Sequence, residues 1–437
     1  MSAQNRAALA ELQLDAKGNP RIPGSGADDV ETEATFSSQQ QSSFSEVTVP
    51  IASLPKPKLP TPSSMLPQSL DRLKVQNASP FYRSPGAFLD FKRMRPGCRT
   101  TSPMDTFIKY GMTDDAISCI FSWLNKVSLL RCARTCQRFY RLSMNAQLWQ
   151  RIDCGQRKIP ESAIHNLLTR GAQMIRLAKA EIPLDMEPRR DSVMLYPHLD
   201  TCRLTHVDMS MAVYDSVDLI AGLLQRCVKL QALSLELGMV DERVCVAIGR
   251  NPELRMLHLG MCTGLDVEGL QAIVCGCRVL EEVNLSWTGL RAAECQMLVS
   301  LLPHTVRRLN ISGVRERDQL RNEDISTLIK TCSNLIELDI SDSPTVTSTA
   351  LDALIVKLPT LRTLCVSRCY GIEPVSYTTC GRLAVLNIFG CVTEEGYDLL
   401  RGRLPNTKIN ADLFSTIARP TVGVRRTSIW DQRVRDE

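Results

Sequence analysis

The sequence predicts an α/β fold in which a short three-helix segment precedes a horseshoe of repeated β/α units, after a disordered N-terminal region. Three observations predict it: a proline- and serine-rich composition over residues 1–104, helical spacing of apolar residues over 105–153, and one strand pattern that recurs over 154–412. At 437 residues the chain is too long for one ordinary compact domain, unless it is a repeat array.

The N-terminal region, residues 1–104, holds 12 of the 23 prolines and polar runs such as SSQQQSSFS. Such a composition buries too little apolar surface to offset the entropy lost on ordering, so we expect a disordered regulatory region. Candidate sites of proline-directed phosphorylation are Thr61, Ser79, Ser84 and Ser102, each followed by proline.

The segment 105–153 changes to helical periodicity. In DDAISCIFSWL the apolar residues recur at i, i+3, i+4 and i+7, at Ile117, Ile120, Phe121 and Leu124. Two further helices are expected in SLLRCARTCQRF and RLSMNAQLWQRI. Three short helices make a marginal core, so we expect this segment to lean on a neighbour or a partner.

A Leu-x-x-Leu-x-Leu pattern then occurs eight times, with first anchors 22 to 29 residues apart. This period is typical of leucine-rich repeats. Helix-like stretches such as DVEGLQAIVCGC and TSTALDALIVKL lie between the strands, so each repeat reads strand, loop, helix. The eight anchor triplets begin at Leu204, Leu230, Leu254, Leu280, Val306, Leu335, Leu361 and Leu383.

The 17 cysteines follow the repeat rather than a disulfide or zinc pattern. Cys227, Cys277, Cys332 and Cys380 stand three residues before a first anchor, and Cys262, Cys369 and Cys391 three residues after a third anchor. Small thiols suit such core positions. No paired C-x-x-C and no histidine cluster is present in the sequence, so we expect free thiols, no metal and no cofactor.

The residues after each third anchor face the concave side of the predicted horseshoe and form its candidate binding surface. Binding residue types found there are Trp287, Arg315, Asp342, Arg368 and Phe389. Two readings stay open at this point: a protein-binding face, or solubilising charge in which Asp342 and Arg368 pair across neighbouring strands.

The C-terminal tail, 413–437, is neither repeat nor low-complexity, and Phe414, Ile417 and Trp430 are its candidate anchors. We expect it to pack on the repeats, either as a cap on the last one or folded over the concave face.

Composition and motifs argue against several function classes. The net charge of +5, with both signs abundant, does not call for nucleic acid. We expect no membrane association and a reducing compartment, since the sequence has a polar N-terminus and no apolar run approaching a membrane span. It holds no nucleophile elbow, P-loop or zincin motif, so no residue is assigned a catalytic role.

The stretches DDAISCIFSWL and SLLRCARTCQRFYRLSMNAQLWQRID resemble an F-box, and with VNLSW, SRCY and FSTIARPTVG the chain resembles the F-box/leucine-rich-repeat family over about 105–430. It departs from the family at Met112-Thr113, where F-boxes usually have Leu-Pro, and Val314 stands where a close relative in the family has an aromatic residue.

This resemblance implies a non-catalytic substrate receptor of a cullin–RING ubiquitin ligase, present in nucleus and cytoplasm. The F-box would bind the S-phase-kinase-associated adaptor, which links to the cullin–RING core. The repeats would hold phosphorylated substrates such as cyclin-dependent-kinase inhibitors, together with a small cyclin-kinase-subunit accessory protein.

The resemblance also assigns residues to these two surfaces. The adaptor-binding residues would be Met112, Thr113, Ile117, Ile120, Phe121, Leu124, Leu129 and Trp149. The substrate and accessory-protein residues would be Trp287, Arg315, Asp342, Arg368, Tyr370, Phe389 and Phe414. Two alternatives are a ligase-independent repeat scaffold, which the missing Leu-Pro favours, and an enzyme that uses a free cysteine.

Overall fold

A computed structural model of the protein describes residues 111–183, 201–313, 320–422 and 427–435, all of which belong to one compact unit. The predicted disordered region 1–104 and the candidate residue Arg315 lie outside the described residues. No helix in the described ranges is long and apolar enough to cross a membrane.

Three short α-helices open the described chain: α1 (Asp114–Ser122), α2 (Lys126–Ala133) and α3 (Gln137–Ser143). Thr113 Oγ1 accepts a hydrogen bond from the N–H of Ala116 at 3.2 Å and begins α1. Asn125 caps α2 in the same manner. Such caps satisfy N–H groups that have no partner inside the helix.

The structure corrects the predicted helices 2 and 3. SLLRCARTCQRF is broken after Ala133, because Cys136 leaves the helical conformation and its Sγ caps α3 by accepting from the N–H of Phe139 at 3.4 Å. The third predicted helix shrinks to a 3₁₀ turn, Ala146–Trp149, after which the chain enters the first strand.

Eleven described strands form one parallel sheet. With strands numbered in chain order, its members are β1 (Arg151–Asp153), β2 (Met174–Arg176), β4 (His206–Asp208), β6 (Ala232–Ser234), β7 (Met256–His258), β8 (Glu282–Asn284), β9 (Arg308–Asn310), β10 (Glu337–Asp339), β11 (Thr363–Cys365), β12 (Val385–Asn387) and β13 (Lys408–Ile409). Two pairs lie outside it: β3 (Glu181–Ile182) with β5 (Val213–Tyr214), and β14 (Ser428–Ile429) with β15 (Gln432–Arg433).

Between the strands the chain returns through helices on the outer side of the array. These are α4 (Glu161–Thr169), α5 (Val217–Leu224), α6 (Glu242–Gly249), α7 (Val267–Gly276), α8 (Ala292–Leu301), α9 (Asn322–Thr331), α10 (Ser348–Lys357), a 3₁₀ helix (Pro374–Cys380) and α11 (Glu394–Arg403). Glycines let two of them approach closely, since a Cβ at Gly276 would lie 1.9 Å from the Gly249 carbonyl oxygen.

The predicted leucine-rich-repeat horseshoe is confirmed, and every residue of the eight anchor triplets is at most 3% exposed. The middle anchors stack in register from strand to strand, as Leu309, Leu338, Leu364 and Leu386 do. Six of the seven repeat-defined cysteines are buried, and Cys391 is half-buried. The core is therefore one continuous apolar column.

Sequence analysis missed three strands of the sheet, β1, β2 and β13. Their triplets are degenerate: in β2 an alanine, Ala172, stands where the first leucine would be, and it is nevertheless fully buried. Ile152 of β1 pairs with Ile175 of β2, so the helical segment and the repeats share one core. This is how three short helices gain the support that they need.

Candidate functional site

The first candidate surface lies on the three N-terminal helices, where apolar side chains divide between a core and an exposed face. Ile117, Phe121, Leu129 and Trp149 are at most 3% exposed. The rings of Phe121 and Phe139 meet edge to face with centroids 5.2 Å apart. These four predicted adaptor residues therefore hold the helices together.

The exposed apolar residues of this segment are Ile120, Trp123 and Val127, at 51%, 86% and 37% exposure. Met112 and Leu124 are half-buried and pack against the core. Sequence analysis did not select Trp123, because it lies off the apolar stripe of α1. A solvent-exposed tryptophan with exposed aliphatic residues close by in the chain is typical of a protein-binding surface.

The start of α1, where this chain departs from Leu-Pro, is held by ion pairs instead. Asp114 accepts from Arg138 Nε at 2.6 Å and from Arg141 Nη2 at 2.6 Å. The hydrogen bond from Arg138 is the main reason that the pKa of Asp114 lies below its usual value. Arg138 also donates to the Met112 carbonyl at 2.9 Å, which fixes the Met112-Thr113 backbone.

The second candidate surface is the edge of the sheet at which the strands end. Two residues after each third anchor, one residue adopts left-handed backbone torsions, and we call this series the rim row. Its members are Gln156, Lys179, Met211, Leu237, Met261, Trp287, Gly313, Asp342, Arg368 and Gly390. From Gln156 to Arg368, each N–H donates to a carbonyl of the next repeat at 2.7 to 3.1 Å.

At several strands the turn into the rim row follows from a polar residue that ends the strand. Asn284 Oδ1 accepts from the N–H of Ser286 at 3.1 Å, and Asn310 does the same for Ser312. His258 uses Nδ1 to accept from Gly260. Such local hydrogen bonds turn the chain out of the strand, which places the next side chain on the edge of the sheet.

Three predicted binding residues, Trp287, Asp342 and Arg368, lie on the rim row. Trp287 is 51% exposed. Arg368 and Asp342 form a two-pronged ion pair across neighbouring repeats, through Nε–Oδ1 and through Nη2–Oδ2 at 2.7 Å. The hydrogen bond from Asp342 raises the pKa of Arg368. The pairing considered from the sequence is thus present, and it leaves 46% of the arginine side chain exposed.

The other predicted binding residues lie around this part of the rim. Tyr370 is 68% exposed, Phe414 is 73% exposed, and Phe389 is half-buried. Leu413, next to Phe414, is 75% exposed and was not selected from the sequence. An apolar residue in a tail without a repeat gives no periodic signal of its orientation.

The tail runs back over the concave face rather than capping the last repeat. The Ala418 N–H donates to Glu282 Oε2 at 2.9 Å, and Asn284 Nδ2 donates to the Ile417 carbonyl at 3.0 Å. Further on, Arg435 Nε lies 3.1 Å from Asp153 Oδ2. The tail therefore reaches from the middle of the sheet to its first strand.

An arginine of the tail lies against two buried ionisable side chains of the sheet. Arg419 Nη2 lies 3.7 Å from Glu236 Oε1, and His258 Nε2 lies 3.8 Å from the same carboxylate oxygen. Burial, with a smaller contribution from Arg419, lowers the pKa of His258 to about 3. Burial raises the pKa of Glu236. Within the described ranges, the chain itself occupies the N-terminal half of the concave face and leaves the C-terminal repeats and the rim uncovered.

The described ranges contain no group of three or more histidine, cysteine or acidic side chains that could hold a metal ion. Both candidate surfaces consist of exposed apolar, aromatic and paired charged residues.

Two family models match this chain. The description "SKP2 LRR domain" matches residues 162–437, and "F-box-like" matches residues 114–155. The first match alone spans more than half of the chain. The chain belongs to the F-box/leucine-rich-repeat family, with a repeat domain of the SKP2 type. The resemblance stated from the sequence is confirmed.

Solved structures similar to this F-box/leucine-rich-repeat protein include the leucine-rich-repeat protein LegL7 from Legionella pneumophila (14% identity, 52% of this chain and 81% of that chain, TM-score 0.34). The Rad7 and Elc1 complex in yeast matches at 14% identity (67% and 92%, TM-score 0.36). An internalin, inlF, from Listeria monocytogenes matches at 11% (60% and 84%, TM-score 0.36). At these TM-scores the likenesses carry no functional argument.

The family matches support a role as substrate receptor of an SCF-type ubiquitin ligase, in which the F-box binds the adaptor of a cullin–RING core and the repeats bind substrate. Receptors of this family are generally non-catalytic and act by bringing substrate and ligase together.

Proposed function

We propose that this F-box/leucine-rich-repeat protein presents phosphorylated cell-cycle regulators, such as cyclin-dependent-kinase inhibitors, to an SCF-type ligase in the nucleus and cytoplasm. The observation that carries the proposal is that one continuous core joins the candidate adaptor surface to the candidate substrate surface. An exposed apolar face at Ile120, Trp123 and Val127 is connected through a continuous sheet to the aromatic and charged rim at Trp287 and Arg368.

The adaptor surface is assigned to the exposed residues of the helical segment. Trp123, 86% exposed, offers the largest apolar contact area there. Aromatic side chains of this kind carry a large share of the binding energy when a partner buries them. Met112 and Thr113 support this surface from the start of α1, where Leu-Pro would otherwise stand.

The substrate surface is assigned to the C-terminal rim with the exposed start of the tail. Trp287, Tyr370, Leu413 and Phe414 supply exposed apolar area, and Arg368 supplies a guanidinium. A guanidinium recognises phosphate and carboxylate groups through two parallel hydrogen bonds. Since Asp342 already engages Arg368, we propose that a cyclin-kinase-subunit accessory protein supplies the main phosphate pocket and that the rim binds both partners.

The receptor itself performs no chemical step and acts by bringing the substrate close to the ligase. The receptor raises the effective concentration of a substrate lysine beside the charged ubiquitin-conjugating enzyme. Rigidity matters, because the distance between the two surfaces is set by a sheet whose anchors are almost fully buried.

A reconstituted ubiquitination assay tests the proposal. Full-length chain, adaptor, cullin–RING core and accessory protein are mixed with a cyclin-dependent-kinase inhibitor in phosphorylated and unphosphorylated form. We expect ubiquitin transfer to the phosphorylated form only, with Trp123→Ala abolishing it through loss of the adaptor. Equal modification of both forms would remove the phosphate requirement. A chain that does not bind the adaptor at all would instead be the ligase-independent scaffold.

A further inference from the structure

A stretch of four consecutive rim-row residues is apolar. Four consecutive strands, β4, β6, β7 and β8, are followed on the row by Met211, Leu237, Met261 and Trp287. Met211 is 38% exposed and Trp287 51%, and Leu237 and Met261 are half-buried. Met239, two residues beyond Leu237, is 37% exposed. We call these five residues the apolar rim.

The turn does not require these side chains. Met211, Leu237 and Met261 have φ values of 57°, 63° and 59°, a left-handed conformation that costs a side chain other than glycine or asparagine about 1 kcal/mol. The same row uses glycine at Gly313 and Gly390. A row optimised for stability alone would favour glycine at these positions, so methionine and leucine here indicate a contact surface.

The outer border of the apolar rim is acidic. From Met211, Leu237 and Met261 the chain reaches a helix of the outer side within a few residues, through segments 211–218, 237–243 and 261–268 respectively. These segments carry six acidic residues and one basic residue, namely Asp215, Asp218, Asp241, Glu242, Asp266 and Glu268 against Arg243. Arg243 pairs with Asp218 at 2.7 Å and with Asp241 at 2.8 Å, so excess negative charge lies beside the apolar rim.

The spacing of the rim side chains fits a helix better than an extended peptide. Neighbouring strands are about 4.8 Å apart, so rim residues recur at about that interval. Along an α-helix, apolar residues at i+3 and i+4 recur after about 4.5 and 6 Å. Side chains on one face of an extended strand recur only after about 6.7 Å. Flexible methionines adapt to the remaining mismatch.

We propose that the apolar rim docks an amphipathic helix of a protein partner, with apolar residues at helical spacing on one side and lysine or arginine on the other. The basic residues face the acidic border, and the apolar residues contact Met211, Leu237 and Met261. Lys179 precedes Met211 on the row and favours the carboxyl end of the helix, where the helix dipole is negative.

This docking surface is independent of the substrate surface in the proposed function. The two meet only at Trp287, which is left unchanged in the test. A failure of one assignment therefore leaves the other standing.

Selection from a random peptide library displayed on phage tests the inference with the full-length chain as target. The variant M211N/L237N/M261N removes three apolar side chains and introduces asparagine, which tolerates the left-handed backbone conformation better than methionine or leucine. We expect it to fold with unchanged or higher thermal stability. The control V356N/V375N/L399N removes apolar side chains that are 76%, 67% and 59% exposed outside the rim.

The expected result is a set of basic peptides with apolar residues at i, i+3 or i+4, and i+7. They bind the wild type and the control alike and bind the rim variant at least about tenfold more weakly, as expected for lost anchor residues. The inference is overturned if no selected peptide distinguishes the rim variant from the control, or if the discriminating peptides are acidic or extended. A change of oligomeric state in the rim variant alone would overturn it in favour of a second copy of this chain.

Discussion

The indole ring of Trp287 lies against the backbone of Gly313 in the next repeat, so that a Cβ atom added to Gly313 would come within 2.3 Å of Trp287 Cδ2. Gly313 also has a φ of +80°, which a side chain disfavours. Because Gly313 has no side chain, the exposed ring of Trp287 can rest on the backbone of the next repeat.

Substitution of Gly313→Ala should displace the Trp287 ring. Gly390→Ala is the matched control, because Gly390 has a φ of +74° and its added Cβ meets Arg368 Cγ only at 3.4 Å. Both variants should lose about 1 kcal/mol of folding stability through the left-handed conformation. Only Gly313→Ala should change acrylamide quenching of Trp287 fluorescence, measured against Trp287→Phe in each background. Equal quenching in the two variants would show that the ring does not rest on Gly313.

Trp123→Ala should weaken adaptor binding at least about tenfold without loss of fold, because the side chain is 86% exposed. Phe121→Ala should instead cost about 3–5 kcal/mol of stability, since Phe121 is 3% exposed in the core. Calorimetry of adaptor binding and circular dichroism separate the two effects. Val356→Ala, at an exposed site on α10, is the control. Undiminished binding by Trp123→Ala would move the adaptor surface elsewhere.

Arg368→Ala should weaken binding of substrate or accessory protein and leave adaptor binding intact. The stability change should stay below about 1 kcal/mol, as is usual for an exposed ion pair. Exchange of both charges, D342R/R368D, should keep the pair but place the guanidinium one repeat away, and should also bind poorly. Binding assays with purified partners measure both variants. Parallel loss of adaptor binding would indicate misfolding instead.

His258 makes folding stability depend on pH. Burial lowers its pKa from 6.5 to about 3, so between these values the unfolded chain takes up a proton that the folded chain does not. This group therefore costs stability as pH falls below 6.5 and has no effect above it.

The substitution His258→Asn removes that cost and keeps the turn, because Asn284 and Asn310 accept the equivalent hydrogen bond in neighbouring repeats. Relative to wild type, the variant should gain up to about 1.4 kcal/mol of unfolding free energy per pH unit below 6.5. Glu236 and Asp208, whose pKa values are raised by burial, titrate in both proteins and cancel in the difference. Urea titrations of both proteins from about pH 4.5 to 8 measure this difference in unfolding free energy. A difference that does not vary with pH would contradict the lowered pKa of His258.

The cysteine thiols should divide sharply in reactivity. Burial raises the pKa values of Cys262, Cys277 and Cys332 to about 12, so thiolate is scarce at these core positions. Cys119 and Cys275 are exposed. Iodoacetamide labelling of the native protein, read by peptide mass spectrometry, should modify the exposed cysteines only. Fast labelling of a buried repeat cysteine would revive the hypothesis of a cysteine enzyme.

The sequence predicted the repeat array well because each repeat buries its anchors against its nearest neighbours. Leu338 needs only Leu309 and Leu364 beside it, and all three belong to one periodic pattern. The same locality explains the rim, since Asn284 and Asn310 turn the chain by hydrogen bonds two residues away. Sequence analysis missed degenerate triplets such as that of β2, because a buried alanine does not match the leucine pattern.

The sequence by itself determined the F-box/leucine-rich-repeat architecture, the positions of the core cysteines and the residue types at the strand ends, because these depend on contacts between chain neighbours or adjacent repeats. Only the tertiary structure decided that Phe121 is buried while Trp123 is exposed, and that Arg368 pairs with Asp342. It also decided that the tail covers the concave face, where Arg435 meets Asp153 from the far end of the chain. Such contacts join residues that no periodic pattern relates, so their geometry appears only when the whole core is assembled.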